Sequence, residues 1–136
     1  MKLEVLADAK GLPLGVALAA ANVPETELVE PAINDIPIEL PDDTPLLADR
    51  GYDSDPLRDT LADQGFTLLS PHRKNRTKPS RNDGRSMRRY KRRYIIERTN
   101  AWLHYYRRLA NRWEYYTFMY FGFLRFACIL IAFNRL

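Results

Sequence analysis

Two short apolar runs with a capped helix between them constrain this fold most strongly. Pro45-Leu46-Leu47-Ala48 is continuously hydrophobic and stops at Asp49, and Phe66–Leu69 is a second run of the same kind. Four-residue apolar runs are too short for buried helices, and they suit a central strand covered on both faces. Gly51-Tyr52-Asp53-Ser54 supplies a turn. Ser54 or Asp55 then caps a helix through about Gln64, Pro56 stands in its first turn, and Gly65 ends it. The pattern predicts strand, helix, strand in close succession.

Upstream, Leu3–Ala7 and Leu14–Ala21 flank the turn Asp8-Ala9-Lys10-Gly11 and predict a hairpin. A helix is expected from Pro24-Glu25-Thr26 to about Asp35, with Leu28, Val29, Ala32 and Ile33 at helical spacing. Pro37–Pro45 reads as a connector. Together these elements predict an α/β layer fold with a mixed sheet and flanking helices. A length of 136 residues suits one domain, residues 1–136, with one core. The single cysteine, Cys128, excludes an intrachain disulfide and fits a reducing cytoplasm. The acidic N-terminus lacks the apolar run of a signal peptide.

Past Pro71 the composition changes abruptly. Residues 1–72 hold 4 bases and 14 acids, and residues 73–136 hold 17 bases and 3 acids. The overall charge of +4 conceals two opposed halves. Eleven of the 21 Lys and Arg residues lie between Arg73 and Arg93, with Asp83 as the lone acid. Such a run suits a polyanion, and nucleic acid is the expected partner. Residues 73–87 are expected to form a basic loop, followed by a helix from Met87 to near Asn111.

Along that helix, at about 100° per residue, offsets of 3, 7 and 14 from Tyr90 fall at about 300°, 340° and 320°. Tyr90, Arg93, Glu97 and His104 would therefore share one narrow stripe, with Ile95, Ala101 and Trp102 opposite. A solvated Arg93–Glu97 pair at i,i+4 explains part of this stripe at a few tenths of a kcal/mol. It does not explain the mixture of phenol, guanidinium, carboxylate and imidazole. Asp49 stands where open α/β sheets present ligands. An Asp at a strand end with a Glu on a later helix supplies hard oxygen donors suited to Mg²⁺-dependent phosphoryl transfer, although such a site generally needs a third acid. No dispersed His and Cys residues make a zinc site here, and no Ser or Cys nucleophile constellation is present.

The 19-residue segment Tyr115–Phe133 is apolar enough to approach a membrane span. Arg125 near its centre would cost about 2.5–3.5 kcal/mol in hydrocarbon, so a buried terminal helix is expected.

Two segments resemble a known family. Leu47-Ala48-Asp49-Arg50-Gly51-Tyr52-Asp53-Ser54 is similar to the second-Asp segment of the DDE transposases of bacterial insertion sequences. Tyr90-x2-Arg93-x3-Glu97-x6-His104 resembles their Tyr-Arg-Glu-Lys signature, with His104 in place of Lys. Ile95-Ile96-Glu97-Arg98-Thr99, Arg107-Arg108-Leu109-Ala110 and Lys10-Gly11-Leu12-Pro13-Leu14 extend the likeness over nearly the whole chain.

The resemblance implies an incomplete ribonuclease-H-like mixed sheet with two C-terminal helices, and DNA cleavage and strand transfer using Mg²⁺ or Mn²⁺. It implies Asp49 and Glu97 as metal-binding catalytic acids. Tyr90, Arg93 and His104 would be DNA contacts, and Arg73, Lys74, Arg76, Arg88 and Arg89 would add phosphate contacts. The family's first Asp lies on a first core strand upstream of Met1, and Asp8 is a hairpin-turn residue that does not replace it. Without that strand a central sheet edge would be unpaired. The expected partners are DNA, an N-terminal transposase half from an upstream frame, and a second copy of the chain, with no membrane. The chain alone is expected to bind DNA without cutting it. A non-catalytic nucleic-acid-binding module is the alternative.

Overall fold

The structure, a computed structural model, describes residues 1–135. Strands β1 (Lys2–Ala7) and β2 (Pro13–Ala19) form an antiparallel hairpin, with Lys2 opposite Ala19 and an irregularity at Leu6/Ala7. Asp8 builds the turn. Its Oδ1 accepts the N–H groups of Lys10 at 2.8 Å and Leu12 at 2.9 Å, while Gly11 takes φ +87°, a conformation that favours glycine.

Strand alternation sends the two faces of the hairpin into different cores. Leu3, Val5, Val16 and Leu18 join Leu103, Leu109, Tyr120, Leu124, Ala127 and Ile131. Leu6, Ala17 and Ala19 pack with Leu28 and Ala32.

The predicted strand–helix–strand unit is present as β3 (Thr44–Leu47), α2 (Asp55–Asp63) and β4 (Phe66–Leu69). The two strands pair in parallel, with Thr44 opposite Phe66 and Leu47 opposite Leu69. Ser54 caps α2 by accepting the Leu57 N–H, and Gly65 at φ +84° turns the chain into β4. Leu57, Leu61 and Leu68 bury against Val29 as a third core.

The expected helix from Pro24 to Asp35 is shorter and divided. A 3-10 turn, Glu25–Glu27, precedes α1 (Val29–Asn34). Pro31 has no N–H to donate to the Glu27 carbonyl, which interrupts the helical ladder between them. Helix α1 crosses Gly15 so closely that an added Cβ would stand 2.2 Å from the Ala32 carbonyl oxygen.

The basic region also departs from a single helix. It consists of α3 (Gly84–Met87), a 3-10 stretch Arg88–Arg93, α4 (Tyr94–His104) and α5 (Arg107–Ala110). Five cations among the six residues of Arg88–Arg93 repel one another at helical spacing, which disfavours regular α-helix there. On α4 the buried residues are Thr99 and Leu103, with Ile96 and Trp102 partly covered, whereas Ala101 faces solvent. Thr99 Oγ1 donates to the Gly11 carbonyl at 2.7 Å and ties α4 to the hairpin turn.

Helix α6 (Thr117–Arg135) was expected to be buried. Only its face of Tyr120, Leu124, Ala127 and Ile131 is covered. It is long and apolar enough to cross a membrane by length and composition alone.

Among the described residues, the strands make two separate two-stranded sheets, β1–β2 and β3–β4. Strand β3 is therefore not enclosed on both sides as its apolar run suggested. Its residues are half-buried or exposed, and one of its edges is unpaired.

Candidate functional site

A cleft of about 720 Å³ lies between the two sheets, bordered by β1 on one side and β3 on the other. Helix α4 and the preceding 3-10 stretch close it further, through Arg89, Arg93, Ile96 and Glu97. Asp49 and Glu97, about fifty residues apart in sequence, both line it.

Asp49 stands just past β3 and is exposed. Its Oδ1 accepts the Gly51 N–H at 2.8 Å, capping the 3-10 turn Arg50–Tyr52. Its backbone carbonyl accepts the Ser70 hydroxyl at 2.6 Å, which ties the ends of the parallel pair together. Asp49 thus caps its own turn. The second carboxylate oxygen of Asp49 makes no hydrogen bond within the described residues.

Glu97 lies in the first turn of α4 and is exposed. Arg93 Nη2 pairs with Glu97 at 3.4 Å, and the Arg93 guanidinium lies 5.7 Å from the Tyr90 ring centroid. The solvated i,i+4 pair is therefore real, and it borders the cleft. Tyr90, Arg93 and Asp49 also border a smaller concavity of about 440 Å³ with Glu25 and Arg50. The change from 3-10 to α geometry breaks the single stripe, yet Tyr90, Arg93 and Glu97 remain linked by contact. His104 is exposed at the far end of α4 and borders neither concavity.

The basic loop is more structured than its composition suggested. Asp53 accepts from Arg58 Nη1 at 2.6 Å and from the Arg73 N–H at 2.7 Å, and contacts His72 Nδ1 at 3.0 Å. Because His72 Nε2 accepts the Arg81 N–H at 2.9 Å, the ring proton belongs on Nδ1, pointing at Asp53. Burial works against the charged Asp53, but the Arg73 N–H, Arg58 and His72 hold its carboxyl far below the usual carboxylate range.

Arg76 places two donors on Asp55, at 3.1 Å each, and Arg81 reaches Asp59 at 2.8 Å. Arg73 donates to the Gly51 carbonyl at 3.0 Å. Lys74, Arg88 and Arg89 are exposed, and Arg89 lines the cleft. Asp8 is occupied by its hairpin turn although it too reaches the cleft.

The least anticipated pair is Glu4 and Tyr52. Tyr52 Oη donates to Glu4 Oε2 at 2.7 Å, joining β1 to the turn after β3. Burial raises Glu4 from 4.5 to about 7, and the Glu25 and Asp49 carboxylates push the same way while the Tyr52 bond opposes them. Burial first, then the hydrogen bond to Glu4 and the nearby carboxylates, push the Tyr52 phenol well above its usual range. The available sequence signal was an acid on the β1 face shared with Leu6, opposite Leu3 and Val5.

The donor set fits a divalent cation in kind, since carboxylate oxygens suit Mg²⁺ and Mn²⁺. It falls short in number: among the described residues no group of three His, Cys, Asp or Glu side chains is placed to hold a metal ion. Glu4 does not make up the third, because its carboxyl is engaged by the Tyr52 hydroxyl and it is not grouped with Asp49 and Glu97.

The Transposase DDE domain family matches residues 1–131. The chain is also 34% identical over 144 residues to the transposase assigned to insertion sequence element IS402 of Burkholderia cepacia. That match covers 99% of this chain and 64% of the relative's length. No solved structure matches. With the strand-end Asp49 and the helix-borne Glu97 on one cleft, and the family match spanning nearly every residue, this chain belongs to the DDE transposase family.

Proposed function

We propose that this chain is the C-terminal portion of a single ribonuclease-H-like catalytic domain that cuts and joins DNA during transposition. The observation that carries the reading is the cleft holding Asp49 and Glu97 between the unpaired edges of β1 and β3. Two free strand edges facing one gap call for an intervening strand, because unpaired backbone N–H and C=O groups there lack partners. A strand from the preceding part of the transposase would close the sheet and bring the third acid beside Asp49 and Glu97. That the chain spans 64% of its relative's length agrees with this division.

In the completed site, Asp49 and Glu97 would hold Mg²⁺ or Mn²⁺, which would stabilise charge on the reacting phosphate. Arg93 sits beside Glu97, with Tyr90 next to it, where phosphate oxygens would approach. The exposed cations Arg88, Arg89, Lys91 and Arg92 would guide the DNA backbone, with Arg73, Lys74 and His104 at the periphery. Arg76 contributes to the shape of the loop through Asp55. The reaction would take place in the cytoplasm, where the DNA is.

The purified chain is expected to bind duplex DNA with an affinity that falls by on the order of 10³ between 50 and 200 mM salt, for about six neutralised phosphates. It should not nick DNA with Mg²⁺. A longer chain carrying the preceding strand should nick transposon-end DNA, and Asp49→Ala or Glu97→Ala in it should abolish nicking while binding persists. Metal-dependent nicking by the 136-residue chain itself, lost in Asp49→Ala, would overturn the claim of incompleteness.

The Arg93–Glu97 pair supports a second reading, a DNA-binding module in which Glu97 only tempers the basic surface. In that case Glu97→Ala in the longer chain would tighten DNA binding and leave no cleavage to lose.

A further inference from the structure

Strand β4 stops at a proline, and a side chain takes over where its backbone ends. In the parallel pair the Thr44 N–H donates to the Gly65 carbonyl at 3.2 Å, and the Ala48 N–H to the Leu69 carbonyl at 3.1 Å. A parallel ladder calls on every second residue of each strand, so the next donor from β4 would be residue 71. Position 71 is proline, which has no N–H, and the backbone ladder ends. Ser70 continues the stitching with its side chain. Its Oγ donates to the Asp49 carbonyl at 2.6 Å, one residue beyond Ala48.

Ser70 is fully buried and is itself held from two sides. Its carbonyl accepts Asn82 Nδ2 from the basic loop at 2.8 Å and Arg58 Nη2 from α2 at 3.0 Å. Both lone pairs of that carbonyl are engaged, so the hydroxyl reaches Asp49 from a fixed base. The Asp49 carbonyl has one other donor, the Tyr52 N–H at 3.2 Å, which belongs to the same 3-10 turn. Among the described residues, Ser70 therefore supplies the one hydrogen bond that joins Asp49 to an element outside its own turn.

A buried serine at a strand end ordinarily serves to satisfy a carbonyl. Here the carbonyl keeps the Tyr52 N–H without it, so satisfaction alone does not require the hydroxyl. Its separate effect is directional. It fixes the Asp49 peptide, and with it the direction of the bond that carries the carboxylate. One carboxylate oxygen is occupied by the Gly51 N–H, which leaves the other for a cation.

We propose that Ser70 is a positioning residue for the reaction, holding the Asp49 turn so that its unengaged carboxylate oxygen is preset for a divalent cation. The inference rests on Asp49 being a metal-binding acid of the completed site. A ligand on a turn free to pivot must give up that freedom on binding, and affinity falls accordingly. Groups that orient metal ligands typically change metal affinity by about 10–100-fold. Ser70 acts through the peptide and not on the carboxylate itself, so the lower end of that range applies. Being uncharged, it alters no electrostatic attraction for the ion or for DNA.

The test uses the longer transposase that carries the preceding strand, with Mn²⁺ binding read from the free-ion electron paramagnetic resonance signal. Ser70→Ala should weaken Mn²⁺ binding about tenfold, and Ser70→Thr, which keeps a hydroxyl, should restore it. Metal-free affinity for duplex DNA should be unchanged, because the carbonyl that anchors Asn82 and Arg58 is backbone. In the 136-residue chain, Ser70→Ala should speed amide hydrogen exchange at Gly51 and Tyr52 and leave the Thr44 amide, at the other end of β3, protected. Wild-type Mn²⁺ affinity in Ser70→Ala, alongside weakening in Asp49→Ala, would overturn this assignment and leave the reading of the cleft intact. Binding unmoved by Asp49→Ala would overturn that reading, and this assignment with it. Exchange raised equally at Thr44 would mean general loosening and would reject a positioning role. So would a Ser70→Thr chain that melts like wild type yet binds Mn²⁺ as weakly as Ser70→Ala.

Discussion

Replacing Glu4 by Gln should make this protein more stable at pH 8 and leave it nearly unchanged near pH 4.5. The folded Glu4 carboxyl titrates at about 7 against an ordinary 4.5. Between these values the unfolded chain releases a proton that the folded chain keeps, so rising pH favours unfolding. At about 1.4 kcal/mol per pH unit, the penalty reaches roughly 3 kcal/mol once pH exceeds 7. Gln has nearly the same shape, is never charged, and still accepts the Tyr52 hydroxyl through Oε1. The variant should therefore escape the penalty, gaining up to about 3 kcal/mol at pH 8, with Glu4's partial exposure making this an upper figure. Urea unfolding of both proteins at several pH values isolates the effect, because all other titrating groups cancel in the difference. A difference that stays flat from pH 4.5 to 8, or a variant less stable at pH 8, would refute the assignment of Glu4 as an acid whose charge the fold disfavours.

Three further outcomes follow from packing and pairing. Gly15→Ala drives a Cβ to within 2.2 Å of the Ala32 carbonyl oxygen and should cost about 3 kcal/mol or more in chemical denaturation, because backbone opposes it. Thr99→Val leaves the buried Gly11 carbonyl without its hydroxyl partner and should cost about 1–3 kcal/mol by thermal melting, with Thr99→Ser close to wild type. Arg58→Leu takes one charged partner from the Asp53 carboxylate, leaving the Arg73 N–H and His72, and should cost about 1.5–3 kcal/mol at pH 7, a deficit that shrinks on acidification as Asp53 takes up a proton.

The local elements were legible where turn chemistry and apolar runs agreed. Asp8 with Gly11, Ser54 at the start of α2 and Gly65 at its end each act in the structure as their residue types imply. Asp49 was legible for the same reason, as an acid where an apolar run stops. The stripe through Tyr90, Arg93, Glu97 and His104 was only partly legible. Its arithmetic assumed uniform helical rotation, and crowded cations at Arg88–Arg93 imposed 3-10 geometry instead.

Long-range features left no periodic trace. Nothing local links Glu4 to Tyr52, or marks Arg76 and Arg81 as partners of Asp55 and Asp59. Counting charges along residues 73–93 adds up cations, Arg76 and Arg81 among them, that the fold pairs with acids of α2 and the turn before it. The buried terminal helix was half correct: hydrophobicity identified α6 but could not show that its second apolar face would lack a partner within the described residues.

The route of the chain through its cores has a consequence for synthesis on the ribosome. The core of β3, α2 and β4 draws mainly on residues 46–68 with help from α1, so it can form while the rest is still being made. The hairpin's principal core needs Leu103, Tyr120, Leu124 and Ile131, all near the other end of the chain. Leu3, Val5 and Val16, translated well ahead of these partners, must wait for α6 to emerge before they are covered. Contacts spanning more than a hundred residues close slowly, and unpaired strands exposed meanwhile are prone to association. Nascent hairpins on neighbouring ribosomes are therefore the point at which this polypeptide is most vulnerable to aggregation, and chaperone dependence should be set by release of α6 rather than by the middle of the chain.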